Sequence, residues 1–129
     1  MPVRRIGADA EDRVAAHLLE LGWTLVTRRW KGRHGELDIV ALEGGTLVVV
    51  EVKSRKPGTN PEEGLTPKKA KRLRLTVDEY LHQMNLEPDA MRYDLIALEG
   101  NDLRHHKNAL VFDLGSSASL GEDARSDVY

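Results

Sequence analysis

The chain has 129 residues, a formal net charge of -2, 40% hydrophobic residues and 31% charged residues, which suits one domain with a single core. It contains no cysteine, which excludes disulfides, thiolate metal ligands and cysteine nucleophiles. Its apolar runs are far shorter than the ~20 residues that span a bilayer, and no apolar segment follows the basic N-terminus as in a secretory signal. We therefore expect a cytoplasmic protein with no membrane contact.

The first predicted element is a helix over residues 9–21. Apolar residues recur there at helical spacing, and Gly22 follows as a stop signal. Glu11 belongs to the same stripe as Val14 and Leu18, so its carboxylate is expected to point toward whatever that stripe covers. The alternative is a first-turn acid that favours the helix dipole.

Strands follow this helix. Alternation predicts a strand over 23–29, and residues 31–35 form a basic, glycine-bounded loop. Two further strands, 36–42 and 47–53, are joined by a tight hairpin whose central Gly44 and Gly45 favour such turns. Residues 54–65 are rich in proline and glycine and are expected to form a loop.

The second helix is predicted to begin at Thr66 and Pro67, with threonine as N-cap and proline at the first position. A strand over 93–98, a turn over 99–102 and a strand or mixed segment over 104–114 follow. The small and acidic residues after Gly115 are typical of disorder. The sequence thus predicts one domain over 1–115 and a disordered acidic tail over 116–129.

Basic residues are concentrated in two segments, 28–34 and 53–74, that could form one phosphate-binding patch. The alternative is a solvated helix face. No sequence-reading motif is present, so nucleic acid would be recognised by its backbone or shape. The candidate phosphate contacts are Arg29, Lys31, Arg33, Arg55, Lys56, Lys68, Lys69 and Arg72.

The hairpin register brings two acids together. A turn centred on Gly44 and Gly45 places Asp38 across from Glu51 on one face of the sheet, with Cβ atoms about 5 Å apart. Like charges at that distance destabilise the sheet unless a proton, a lysine or a divalent cation neutralises one of them. Two carboxylates beside Lys53 suit Mg²⁺ or Mn²⁺, which would polarise a phosphoryl oxygen and acidify a water. Glu11 could add a third carboxylate.

A purely structural interpretation of the same residues is an ordinary cross-strand ladder with an ion pair between Glu36 and Lys53. Elsewhere, Asp94 is expected either to join the acidic site or to pair with Arg92 or Arg104. His105 and His106 would point to opposite faces of a strand and make a poor chelating pair.

Two segments resemble a known family. Residues 35–40, Gly-Glu-Leu-Asp-Ile-Val, and residues 49–55, Val-Val-Glu-Val-Lys-Ser-Arg, are similar to the GEIDLIA and FVEVKxR motifs of the YraN-type uncharacterised bacterial proteins. These belong to the PD-(D/E)xK, restriction-endonuclease-like superfamily and are related to archaeal Holliday-junction resolvases. The resemblance implies an α/β fold, with a central mixed sheet flanked by helices.

The resemblance also implies a site. The superfamily's catalytic residues fall on Glu11, Asp38, Glu51 and Lys53, with Asp38 and Glu51 as ligands of Mg²⁺ or Mn²⁺. DNA is the implied partner, and resolvase relatives commonly act as dimers. Arg29 departs from the family pattern, which commonly has asparagine there.

The resulting hypothesis is a metal-dependent DNA endonuclease acting on structured or branched DNA in repair or recombination. The alternatives are a non-catalytic nucleic-acid-binding module on the same fold, or a protein-interaction adaptor.

Overall fold

The computed structural model of the chain describes residues 6–58 and 66–109 and has an α/β architecture. Its five strands form one mixed sheet in the order β1-β2-β3-β4-β5, and the two helices cover opposite faces of it. The predicted α/β fold with a central mixed sheet is confirmed, while the predicted tail over 116–129 lies outside the described residues. The elements are α1 (Ile6–Glu20), β1 (Thr24–Lys31), β2 (Glu36–Glu43), β3 (Thr46–Arg55), α2 (Pro67–Met84), β4 (Ala90–Glu99) and β5 (Asp102–His106).

The β2–β3 hairpin has the predicted register. Its turn consists of two glycines, and Gly44 takes the left-handed conformation, with φ +59°, that glycine adopts without strain. Pairing runs from Glu43 with Thr46 to Ile39 with Val50. The neighbouring strands β3 and β4 run parallel, which requires the long crossover that α2 supplies, while the other pairs are antiparallel.

Both faces of the central strands are buried, as their continuous apolar sequences predict. On one face Val14 and Leu18 of α1 share a core cluster with Val50 of β3. On the other face Val77 of α2 shares a cluster with Val49 of β3. The site is therefore built at the end of a rigid, doubly covered pair of strands.

A strand's period of two predicts Leu37 and Ile39 on the same face of the sheet, and this prediction is wrong. It lies in the α2-side cluster, whereas Ile39, two residues further, lies on the α1 side. In β1, which pairs with β2, Arg29 has φ +56°. Its neighbours Arg28 and Trp30 pair with Ile39 and Leu37, but Arg29 and Asp38 have no backbone pairing. A left-handed residue in a strand interrupts its pleat, which explains why the simple period of two fails here.

Helix α2 begins as predicted. The Thr66 hydroxyl accepts a hydrogen bond from the Lys69 N–H at 3.2 Å, and Pro67 occupies the first turn. Asn85, in the left-handed conformation, ends the helix. Neither described helix is long and apolar enough to cross a membrane.

Candidate functional site

The site lies where β2 and β3 separate. Their backbone pairing ends at Ile39 and Val50, one residue before Asp38 and Glu51. Beyond that point an oxygen of the Asp38 carboxylate, Oδ2, accepts the hydrogen bond of the Val52 N–H at 2.8 Å. The carboxylate thus takes the place of a backbone acceptor, which fixes it against β3.

Glu51 and Lys53 project from β3 toward α2, on the face that also carries Val49. Lys53 Nζ lies 3.4 Å from Glu51 Oε2, and their side chains are 17% and 20% exposed. Lys53 is therefore paired with the acid two residues before it in its own strand. Among the described ion pairs, Lys53 contacts Glu51 and not Glu36, so the ion pair of the purely structural interpretation is not found.

Burial raises the pKa values of both acids. Burial is the main cause for Glu51, followed by the charge of Asp38, and together they raise its pKa to about 7 although Lys53 and Lys69 oppose the shift. Burial also raises the pKa of Asp38, against the hydrogen bond from Val52. The charge of Asp38 therefore acts on Glu51 at the end of the β2–β3 pairing.

A cavity of about 190 Å³ opens between these strands and the first turns of α2. Acidic and basic groups face each other across it: Glu51 and Lys53 on the sheet, Lys69 and Arg72 on the helix. A second cavity, of about 480 Å³, continues over α2 and shares Arg72 with the first. We call this second cavity the basic groove; its lining residues are Arg33, His34, Lys68, Lys71, Arg72 and Leu75.

Glu11 of α1 contacts the first strand of the sheet. It forms an ion pair with Arg29, whose Nε donates to Glu11 Oε1, at the α1 side of the sheet. Neighbouring Arg28 pairs with Asp12 of the same helix. The described contacts of Arg29 are thus with α1 and not with the basic groove.

The remaining predicted phosphate contacts are dispersed. Lys31 ends β1, while Arg55 and Lys56 lie at the end of β3, where the Arg55 guanidinium donates to the Ser54 carbonyl oxygen. Only Arg33, Lys68, Lys69 and Arg72 of the predicted set line the two cavities. Lys71 also lines the basic groove, although the sequence does not single it out.

The donor set fits a hard divalent cation. Within residues 6–58 and 66–109, no group of three or more metal-ligating side chains is found. Asp38 and Glu51 nevertheless offer carboxylate oxygens, the ligands that Mg²⁺ and Mn²⁺ prefer. Lys53 lowers the pKa of Glu51, but burial and the charge of Asp38 outweigh it and raise that pKa to about 7.

Glu79 is a site neighbour that the sequence does not reveal. It lies on α2 among buried residues, and its carboxylate accepts a hydrogen bond from the N–H of Arg33, 46 positions earlier in the chain. No local sequence signal marks such a contact, because it depends on how the loop after β1 meets α2.

The mixed sheet, its two helices and the acidic pair with Lys53 on adjacent strands define an α/β protein with a restriction-endonuclease-like core. The comparison with family models identifies the family. Residues 10–98 match the model of the uncharacterised protein family UPF0102, and the chain belongs to that family, the YraN-type proteins of the predicted resemblance.

Relatives in distant bacteria share most of their length with this chain. It is 36% identical to a UPF0102 protein of Persephonella marina over 110 residues, covering 83% of this chain and 94% of the relative. It is 40% identical to a UPF0102 protein of Acidothermus cellulolyticus over 127 residues, covering 96% and 89%. A UPF0102 protein of Rhodococcus opacus is 40% identical over 96 residues, covering 72% and 80%.

Proposed function

We propose that this protein is a metal-dependent DNA phosphodiesterase, an endonuclease that acts on structured or branched DNA. The observation that carries the proposal is the acidic pair Asp38 and Glu51 beside Lys53: burial and the charge of Asp38 raise the pKa of Glu51 to about 7 even though Lys53 Nζ lies 3.4 Å from Glu51 Oε2. The basic groove beside the pair supports a phosphate-backbone ligand. The resemblance to resolvases supports branched DNA as the preferred form.

Asp38 and Glu51 would hold one Mg²⁺ or Mn²⁺ through their carboxylate oxygens. When bound, such an ion supplies Lewis-acid stabilisation to a phosphodiester. Lys53, whose Nζ lies beside Glu51, would donate a hydrogen bond to the negative charge that develops on the phosphoryl oxygens. Lys69 and Arg72, across the cavity, would orient the phosphate by charge.

The test is a nicking assay with Mg²⁺ or Mn²⁺ on duplex, flap, fork and four-way-junction DNA. We expect metal-dependent cleavage that Lys53→Ala and Asp38→Asn reduce by at least about a hundredfold, the scale of losing one electrostatic contributor. The control is Lys107→Ala, which removes an exposed lysine whose partner is Glu43. Its activity should remain within about twofold of the unmodified protein.

Calorimetry with Mn²⁺ supplies an independent test of the ligand pair. We expect one ion to bind per chain and Glu51→Gln to abolish the binding, because that substitution removes one of two charged ligands. Absence of binding to the unmodified protein would remove the catalytic mechanism. Metal-independent DNA binding without cleavage of any substrate would favour the non-catalytic binding module.

A further inference from the structure

The loop of residues 32–35, which connects β1 and β2, lies tightly against α2. The Gly32 N–H donates to the Gly35 carbonyl oxygen at 2.8 Å and closes the loop. A Cβ atom on Gly32 would lie 2.5 Å from Glu79 Oε1 and 2.7 Å from the Trp30 ring, closer than real contacts allow. A Cβ on Gly35 would meet Thr76 Oγ1 of α2 at 3.0 Å. The loop therefore approaches α2 through two positions that leave little room for a side chain.

Glu79 supplies the polar contacts of this approach. Its side chain is 11% exposed, and Oε1 accepts the Arg33 N–H at 2.8 Å and lies 3.5 Å from His34 Nδ1. The second oxygen, Oε2, lies 3.7 Å from Arg33 Nε. One carboxylate on the helix thus contacts both the backbone and the side chains of the basic loop.

These contacts determine where Arg33 is presented. Its side chain is 88% exposed, and it lines the basic groove together with Lys68, Lys71 and Arg72 of α2. Arg72 belongs to the cavity of Glu51 and Lys53 as well. A phosphodiester backbone that follows these cations would therefore lead directly to the acidic pair.

We propose that Glu79 is a positioning residue that, with Gly32, holds the basic loop on α2 and so preforms the basic groove for a phosphodiester backbone. The identity of the ligand rests on the proposed function. The role of Glu79 itself rests on the loop contacts. A groove that is ordered before binding does not lose loop entropy when the ligand binds, which favours affinity.

A purely electrostatic role and a positioning role of Glu79 predict opposite changes in DNA affinity when Glu79 is removed. Deleting a carboxylate beside a phosphate groove strengthens binding if charge alone matters, because the surface becomes more basic. Deleting a positioning residue weakens binding, because Arg33 is no longer held beside α2. The direction of the change therefore separates the two roles.

The experiment measures DNA affinity by fluorescence anisotropy in EDTA, with a labelled duplex and a labelled four-way junction. Glu79→Ala and Gly32→Ala are each expected to weaken binding roughly three- to tenfold, the scale of one lost phosphate contact. Asp78→Ala is the charge-matched control on α2 and should leave affinity unchanged or slightly tighter. Gly45→Ala is the control for Gly32, because a Cβ at Gly45 has no heavy atom within 4 Å.

Hydrogen exchange at the Arg33 amide tests the contact without DNA. We expect faster exchange in Glu79→Ala, with unchanged exchange in the β3 and β4 amides showing that the fold is intact. Glu79→Gln retains an oxygen that can accept the Arg33 N–H, so it should keep most of the protection and most of the affinity. If the alanine variant does not fold, Gly32→Ala, with Gly45→Ala as its control, tests the same loop contact.

The outcomes separate this inference from the proposed function. Equal or tighter DNA binding by Glu79→Ala, or unchanged exchange at Arg33, would overturn the positioning role. If Glu79→Ala and Gly32→Ala both bind DNA more weakly but the unmodified protein cleaves no substrate, the positioning role is supported and the proposed nuclease activity is overturned. Absence of salt-dependent DNA binding by the unmodified protein would overturn the groove and the proposed substrate together.

Discussion

Glu51 shows how one buried acid of the candidate site lowers the stability of the fold. Its pKa of about 7 lies above the ordinary value of 4.5, because of burial first and the charge of Asp38 second. Below pH 4.5 the group is protonated in both the folded and the unfolded state. Between pH 4.5 and 7 the unfolded chain releases the proton more readily, so the stability of the fold decreases as the pH rises.

We therefore predict that Glu51→Gln stabilises the metal-free protein at high pH. The free energy of unfolding above pH 7 should increase by up to about 3 kcal/mol, because the variant has no charge to bury. At pH 4 the two proteins should be almost equally stable. Urea unfolding in EDTA at several pH values measures this, and a pH-independent difference would contradict it. Glu87→Gln, outside the helices and strands, is the control.

The sequence predicts which residues could form a site but not the contacts that they make. The turn at Gly44 and Gly45 fixes the pairing from Glu43 with Thr46 to Ile39 with Val50, and extending this register predicts Asp38 opposite Glu51. The predicted register would continue through Asp38, but the backbone pairing ends at Ile39. The Asp38 carboxylate instead accepts a hydrogen bond from the Val52 N–H. The residue at which backbone pairing ends depends on the other strands of the sheet, so it cannot be predicted from the sequence of the hairpin alone.

At the level of elements, a buried network joins β4, β5 and α1. Asp94 of β4, whose side chain is inaccessible to solvent, accepts hydrogen bonds from Arg92, from the Asn108 N–H and from His105 at 2.9 Å. His105 Nδ1 in turn lies 3.1 Å from His17 Nε2 of α1. Burial lowers the pKa of His17, with a contribution from His105. The network therefore links one edge of the sheet to the helix that covers it.

We predict that Asp94→Asn destabilises the fold without removing the acidic site. Burial would raise the pKa of Asp94, but hydrogen bonds from His105 and Arg92 outweigh it and lower the pKa to about 2. The unfolding free energy at pH 7 should fall by about 2 kcal/mol, and this contribution should be lost as pH falls from about 4 to about 2. Thermal or urea unfolding checks it, with Asp78→Asn as control. Equal stability of variant and parent at pH 7 would contradict it.

The sequence predicts the local features of the elements better than the contacts between them. Thr66 and Pro67 mark the start of α2 because a cap acts within one helical turn. Asp94 was expected to pair with Arg92 or Arg104 or to join the acidic site, and it pairs with Arg92. The contact of His105 with His17 was not foreseen, because 88 positions separate them and only the sheet order brings them together.

For the whole molecule, the distribution of charge matters more than the total. The net charge is -2, yet the basic groove carries Arg33, Lys68, Lys71 and Arg72 on one surface. The predicted basic segment 28–34 is divided between two sides of the sheet, because Arg28 and Arg29 form ion pairs with α1. A protein with a small negative net charge can therefore still present a phosphate-binding surface.

We predict a steep salt dependence for DNA binding that belongs to this surface alone. Lys71→Ala should reduce the slope of log affinity against log salt concentration by about 1, because one phosphate contact and its released counterion are lost. Lys107→Ala, which removes the same charge just after β5, should leave the slope unchanged. Anisotropy titrations at increasing KCl give the slope, and equal slopes for the two variants would place the DNA elsewhere.

The hydrogen bond between Asp38 and Val52 has a consequence for how inactive variants are to be understood. Asp38→Ala would remove a carboxylate and would also leave the Val52 N–H of β3 without its hydrogen-bond acceptor. Loss of activity would then reflect damaged scaffolding as much as missing chemistry. Asp38→Asn keeps an oxygen that can accept this hydrogen bond but removes the charge, so it separates the structural role of Asp38 from its proposed chemical role.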